Sequence, residues 1–373
     1  MLFVSALAFI VNRLRISEPN PGNENAVSYK PGAALFVFII ALSLTVFSGL
    51  RQSYNDTSAY ILSFTAIPNN FSGGLDYTNI VLFQVLQISI KKFISNNPQW
   101  FLMITSLFVN FTFVFFFYKK SPNFLLSMIF YIIMGPFVFS MAGLKQTLAM
   151  TFGIIALGRL INGRKILFIF WVAVAWMFHP FAPFYVILLF FTKDIWSWRV
   201  MLLIAAAIFV GIFYNALVPA ILSAASMTGK EGYTSATLLS EGVNIYRLAF
   251  EAILPILAFV FRKRIRAQNS RILNIAVNMS CISFAFLIIA YISSPVYFGR
   301  MSTYFIILRA VLFPWILIYC FKDKIKPLIV SGTVALYFIF FYLDFTHFGQ
   351  WALDFKFNTL TNLFNSLGAG VWR

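Results

Sequence analysis

Gln99–Tyr118 reads QWFLMITSLFVNFTFVFFFY, and Lys119-Lys120 follow at once. A helix of 20 residues is about 30 Å long, which matches the hydrocarbon thickness of a bilayer. Inside a bilayer no water serves the backbone, so a single uncharged stretch of this length resolves as a helix. The lysine pair marks its interfacial end. Working outward, the same grammar repeats: apolar runs at 1–12, 31–48, 122–140, 144–162, 165–178, 181–191, 200–218, 246–261, 273–293, 299–320 and 326–343 are candidate spans, with 1–12 and 181–191 short. The stretch 79–94 mixes Gln84, Gln87, Lys91 and Lys92 with apolar residues, the pattern of a helix lying at the interface. The fold class this predicts is all-α: one polytopic membrane bundle over 1–373, of about 11–13 transmembrane helices plus the interfacial one. No internal repeat and no soluble domain is visible.

Composition agrees. The chain is 61% hydrophobic and only 10% charged, where a soluble domain carries about a quarter charged residues. Its mean hydropathy is +0.85. The net charge of +17 does not point to nucleic acid, because the basic residues punctuate the ends of apolar runs instead of forming a basic domain. Alternate connections hold 18 of the 28 Lys and Arg: Arg13, Arg15 and Lys30; Lys119 and Lys120; Arg159, Arg164 and Lys165; Lys193 and Arg199; Arg262, Lys263, Arg264, Arg266 and Arg271; Lys322, Lys324 and Lys326. By the positive-inside rule these face the cytoplasm. Keeping 262–271 inside requires 165–191 to be a hairpin turning at His179-Pro180. The connections 49–98 and 219–245, the tail 344–373 and both termini then face outward. Cys281 and Cys320 match no metal or disulfide spacing, and Met1–Val11 lacks a basic leader and a cleavage site.

This topology puts Arg51, Asp56, Lys145, His179, Glu251, Arg300 and Arg309 near one face. Ionisable groups in or beside hydrocarbon are costly, so their gathering suggests one polar, outward-open site. Arg51 and Asp56 form either an interfacial salt bridge or an arginine gripping phosphate with a carboxylate to orient it or act as base. Lys145 and Gln146 open a helix whose amides and dipole favour an anion; the bland alternative is a snorkelling lysine. His179 is a catalyst or a structural donor. Arg309, nine residues past Arg300, would sit about 13 Å deeper on a continuous helix, with Glu251 as its partner, either structural or functional. No His, Cys and carboxylate cluster has metal-ligand spacing, so no metal or other cofactor is expected; Asp344 and His347 read as part of a solvated tail. A mainly cationic cavity between apolar walls suits a phosphate head on a hydrocarbon tail, and could stabilise a departing diphosphate.

Four segments carry a family resemblance: Gly49-Leu50-Arg51 with Asn55-Asp56 and Tyr60; Gly143-Leu144-Lys145-Gln146-Thr147-Leu148-Ala149; Phe178-His179-Pro180; and Arg300-Met301-Ser302-Thr303-Tyr304-Phe305. Over about residues 30–320 the chain resembles EpsG-type, Wzy-like polysaccharide polymerases. It departs from their pattern at Lys145, where arginine is usual, at Pro180 and at Asn55-Asp56. The resemblance implies a GT-C-like bundle in the bacterial plasma (inner) membrane that joins oligosaccharide repeat units carried on undecaprenyl diphosphate at the outer leaflet. The resemblance further implies that undecaprenyl diphosphate is released and that no metal takes part. Lipid-linked oligosaccharide serves as donor and acceptor, and a chain-length regulator is a candidate further partner. In this reading Arg51, Lys145 and Arg300 hold the diphosphate. Gln146, Tyr304, Arg309 and Glu251 complete the binding site, and Asp56 or His179 takes the proton from the attacking hydroxyl, with Asp56 preferred. The rivals are a decorating transferase using polyprenyl-monophosphate sugar, a flippase or transporter of lipid-linked sugars, and a transmembrane acyltransferase.

Overall fold

The computed structural model describes residues 1–16, 28–71, 75, 80–227, 243–293, 296–344, 346 and 355–368. The structure is 77% helical with almost no strand, so the all-α membrane class holds. Five helices are long and apolar enough to cross a bilayer: Pro98–Lys120, Leu144–Ile161, Trp198–Ala220, Arg271–Ser293 and Lys326–Leu343. The bent pair Phe124–Ile133 and Pro136–Ala142 makes a sixth if taken as one span, and four shorter apolar helices accompany them. The chain divides into two compact units, Met1–Pro19 with Asn25–Val186 and Pro327–Arg373, and Asn20–Glu24 with Ile187–Lys326.

In the first unit, α1 (Leu2–Arg13) packs on α2 (Ala33–Gly49), which runs along the unit's longest helix, Pro98–Lys120. At 12 residues, α1 is about 18 Å long and does not reach across the hydrocarbon by itself. Its basic end is tied down by the Arg15 guanidinium, which donates to the Pro122 carbonyl, and by Tyr29, which stacks on Tyr118. After α2 come the short strand β1 (Arg51–Ser53), α3 (Thr57–Ala66) and the expected amphipathic helix, α4 (Val81–Phe93). Helix α4 buries Phe83, Gln87, Ile88 and Ile90. Its Lys91 ammonium donates to the carbonyls of Phe64, Thr65 and Ile67, closing the C-terminal end of α3. Burial lowers the pKa of that lysine.

Helix α5 (Pro98–Lys120) starts on a strong signal: Asn97 Oδ1 accepts from the Gln99 N–H at 2.9 Å and Pro98 occupies the first turn. The run 122–140 is one span by pattern but two helices in space, α6 (Phe124–Ile133) and α7 (Pro136–Ala142), bent by 46°. Gly135 adopts φ +94° and Pro136 begins the second piece, so the backbone both leaves and restarts the helix there. Helix α8 (Leu144–Ile161) packs on α9 (Lys165–Trp176), after which the chain turns through 177–181. The expected short span 181–191 is instead a 3-10 helix, Ala182–Phe190. Tyr185 of that segment lies against Gly153, where an added Cβ would be 2.4 Å from the ring.

In the second unit, α10 (Trp198–Met227) crosses α13 (Arg271–Ser293) through small residues. Ala207, Ala285 and Ile289 form a core there, and Gly211 sits against Ile292. Helix α10 continues past Pro219 to Met227, so the connection expected over 219–245 begins later, and 228–242 of it lies outside the described residues. Helix α11 (Ile245–Val260) also packs on α13, and the basic α12 (Arg262–Ala267) follows it. Two of its arginines donate to backbone: Arg264 to Cys320 O and Arg266 to Ile195 O, at 2.6 and 2.7 Å.

The run 299–320 is not one span. It breaks into α14 (Val296–Thr303) and α15 (Arg309–Tyr319), with turns over 304–308. Nothing in Tyr304-Phe305-Ile306-Ile307-Leu308 announces a break; side chains elsewhere support it. The Ser302 carbonyl accepts from Ser283 Oγ at 3.1 Å, and that oxygen accepts from Arg309 Nη2 at 2.7 Å. The depth inferred for Arg309 from a continuous rise therefore does not apply.

The C-terminal part of the first unit holds α16 (Lys326–Leu343), β2 (Lys356–Phe357) and α17 (Leu360–Asn365). Within the expected outer tail 344–373, the described residues 355–368 are mostly exposed yet docked. Here β2 pairs antiparallel with β1, Trp100 Nε1 donates to Leu363 O, and Leu363 is buried. Phe345 and His347 lie outside the described residues.

Candidate functional site

Gly49 ends α2 in close contact with α5: a Cβ there would stand 2.9 Å from the Met103 Cα and 2.7 Å from its sulfur. That approach carries Arg51 into the helix pair, where the side chain is fully buried. Its Nη1 donates to the Ser48 carbonyl and, at 3.4 Å, to Ser106 Oγ, and its Nε donates to Thr57 Oγ1 at 3.2 Å. Its buried Nη2 has no hydrogen-bond partner among the described residues. Burial pulls the guanidinium down to about 10, with Tyr60 and Tyr54 opposing, so it stays cationic at neutral pH. The ion pairs among the described residues are Arg309–Glu251 and Lys326–Asp323, so Arg51 has no carboxylate there.

The salt-bridge reading of Arg51 and Asp56 is thereby corrected. Asn55 takes φ +43°, and Asp56 caps the start of α3 without a side-chain hydrogen bond, its carboxylate exposed. It is Thr57, one residue on, that reaches the arginine. Sequence reading also passed over the polar stripe of α5 that lines this arginine. Gln99, Ser106 and Asn110 lie on one helical face by their spacing, and Asn110 Nδ2 donates to Ser48 Oγ at 3.0 Å and to Ser106 O at 2.9 Å. Polar residues at seven- and four-residue intervals in an otherwise apolar span were the available signal.

Lys145 lies in the first turn of α8, whose first intrahelical bond is Thr147 N–H to Gly143 O. Its ammonium stands 5.0 Å from the centre of the Phe83 ring. Phe83 in turn meets Tyr60 edge-on at 6.4 Å, and Tyr60 is an electrostatic neighbour of Arg51. The adjacent Leu82 N–H donates to the Met177 carbonyl at 3.1 Å, two residues before His179. The first turn of α4 thus links the Arg51 loop, the start of α8 and the His179 turn. Gln146 is buried beside Lys145. His179 is half-buried, and its Nδ1 accepts from the Phe181 N–H at 3.4 Å, which leaves Nε2 of the neutral ring as a donor. Among the described residues no three His, Cys, Asp or Glu side chains come together.

The second unit holds the other sequence-predicted residues. Arg309 pairs with Glu251 as expected, the arginine 4% and the glutamate 14% exposed. Arg300, in the last turn of α14, is exposed, and Tyr304 is wholly buried at the helix break.

The sequence model of the EpsG family matches residues 34–359, most of the chain and all four segments named above. The chain belongs to the EpsG family. EpsG proteins are Wzy-like polysaccharide polymerases, and membership makes this chain a multi-pass membrane protein of the polysaccharide polymerase type. The EpsG match runs beyond Arg300–Phe305 to include β2 and Asn358. No curated protein and no solved structure matches the chain.

Proposed function

We propose that this EpsG-family chain joins oligosaccharide repeat units carried on undecaprenyl diphosphate at the outer leaflet of the plasma membrane, releasing undecaprenyl diphosphate, as one integral membrane domain and without a metal. The observation that carries this reading is Arg51. It is a wholly buried cation with a free Nη2 and no carboxylate partner among the described residues. A buried, unpaired charge is costly unless a counter-charge arrives, and a diphosphate oxygen supplies one. Lys145, seated on Phe83 at a helix start, adds a second positive charge and the helix dipole. As the bond between sugar and diphosphate breaks, negative charge grows on the leaving group, and fixed cations stabilise it more than the bound substrate.

Asp56 takes the base role. Its carboxylate is exposed and makes no capping bond, whereas His179 has Nδ1 occupied and presents a donor at Nε2. His179 then hydrogen-bonds a sugar or phosphate oxygen. Arg300, exposed in the last turn of α14, binds lipid-linked substrate in this reading, and the buried Tyr304 supports that helix end from within. The test is chain growth by the purified protein supplied with lipid-linked repeat units, with products resolved by size. Arg51→Ala and Lys145→Ala, expressed at normal levels, should make no long polymer. Full-length polymer from either would overturn its assignment, and products one sugar longer than the acceptor would show a decorating transferase instead.

A further inference from the structure

The backbone that presents Arg51 is held from two sides. Past the last turn of α2, the carbonyls of Gly49, Leu50 and Arg51 have no partners within that helix. Gln99 Nε2 donates to two of them, Gly49 O at 2.6 Å and Arg51 O at 3.1 Å. The Asn358 N–H donates to the third, Leu50 O, at 2.8 Å. Asn358 Nδ2 then donates to Gln99 Oε1 at 3.3 Å, joining the two supports into one. Around them the C-terminal segment is fastened along its length. Lys356 N–H donates to Ser53 Oγ at 3.1 Å, and Phe355 stacks on Tyr54 with centroids 4.3 Å apart. Ser366 O accepts from Ser95 Oγ at 2.6 Å, and Gly368 N–H donates to Ile94 O at 2.9 Å.

We propose that Phe355–Gly368 is a standing part of the diphosphate site, with Asn358 and Gln99 as positioning residues that hold the Arg51 backbone so that Nη2 faces the phosphoryl oxygen. This rests on the reading of Arg51 as a diphosphate-binding residue. Gln99 reaches the carbonyls on either side of Leu50, and a backbone N–H arriving from outside α2 and α5 reaches the one between. The C-terminal segment supplies it. Neither residue touches substrate; both act through the arginine.

The experiment measures binding of undecaprenyl diphosphate to the purified full-length protein. Gln99→Leu strands the Gly49 and Arg51 carbonyls and should weaken binding about tenfold, the scale of one buried hydrogen bond left unmade. Asn358→Ala keeps the N–H on Leu50 O and removes only the Nδ2 bond that steadies Gln99, so it should weaken binding by about threefold. Asn358 is half-exposed, so its variant folds even if loss of Gln99 does not permit folding. In an Arg51→Ala background, Asn358→Ala should cost nothing further, which a merely structural role would not produce. A Ser53→Cys/Lys356→Cys disulfide across the β1–β2 register should leave binding unchanged, because the segment does not have to open. Wild-type binding by Asn358→Ala, an equal loss in the Arg51→Ala background, or loss on closing the disulfide each overturns the proposal while the diphosphate reading stands. If the wild-type protein fails to bind undecaprenyl diphosphate, the diphosphate reading falls first and this proposal with it.

Discussion

Replacing Glu251 by leucine would leave the Arg309 guanidinium inside the second unit with no carboxylate. Arg309 is 4% exposed, its Nη1 meets Glu251, its Nη2 donates to Ser283 at 2.7 Å, and its Nε has no hydrogen-bond partner among the described residues. Stranding a buried charge costs about 3–5 kcal/mol. At an unfolding entropy of about 2.1 cal/mol/K per residue, a chain of 373 residues shifts by about 1.3 °C per kcal/mol, so the melting temperature should fall by about 5 °C. The apolar pair Glu251→Leu/Arg309→Met removes both charges and should recover most of that loss, since buried ion pairs are often replaceable by packed apolar side chains. The assay is thermal unfolding of detergent-purified protein, followed by tryptophan fluorescence and paired with chain growth in membranes. If Glu251→Leu melts with the wild type, the ion pair does not hold the arginine. If the double variant is no more stable than the single one, stranded charge was not the cost. Activity separates the roles: a stable double variant that still grows chains makes the pair structural, and a stable inactive one places Arg309 or Glu251 on the substrate.

Other outcomes follow from the first unit. Gly49→Ala should destabilise by about 1–3 kcal/mol in the same unfolding assay, because the new methyl meets the Met103 Cα, which a rotamer change cannot move. Lys145→Arg should keep chain growth and bind undecaprenyl diphosphate at least as well as the wild type, whereas Lys145→Met should bind about tenfold more weakly for loss of one charge contact. In a Lys145→Met background, diphosphate binding should be level from pH 7 to 9 and fall as pH rises through about 10. Burial lowers Arg51 to that value, and it is the protonated guanidinium, present below it, that pairs with the anion; a fall centred near neutrality would point to a different group.

Much of the membrane architecture was legible because each span is a local fact. Gln99–Tyr118 followed by two lysines is α5 almost to the residue, and the mixed stretch 79–94 is α4. The Arg309–Glu251 pair was also within reach, since two charges in apolar runs have few places to go. What sequence reading lost lay between elements. It missed the break at 304–308, where a serine on α13 and Arg309 do what a glycine or proline usually does. Of its two readings of Arg51 and Asp56, the salt bridge fails: the hydroxyl of Thr57 and the carbonyl of Ser48 are the arginine's partners. It gave the outer tail 344–373 no partner, though 355–368 docks on β1 and α5.

From the amino-acid string alone come the membrane class, several of the spans and the family, because hydrophobicity, length and short motifs are written along the chain; the count of about 11–13 was too high for the described residues, where five or six helices are long enough to cross. The environment of Arg51 is not written there. That its charge is buried, that its Nη2 is left over, and that Asn358 completes its support depend on groups 48 to more than 300 residues apart meeting at one helix end. A buried polar group takes whatever partner the packing of distant segments delivers, and only the folded chain decides which one that is.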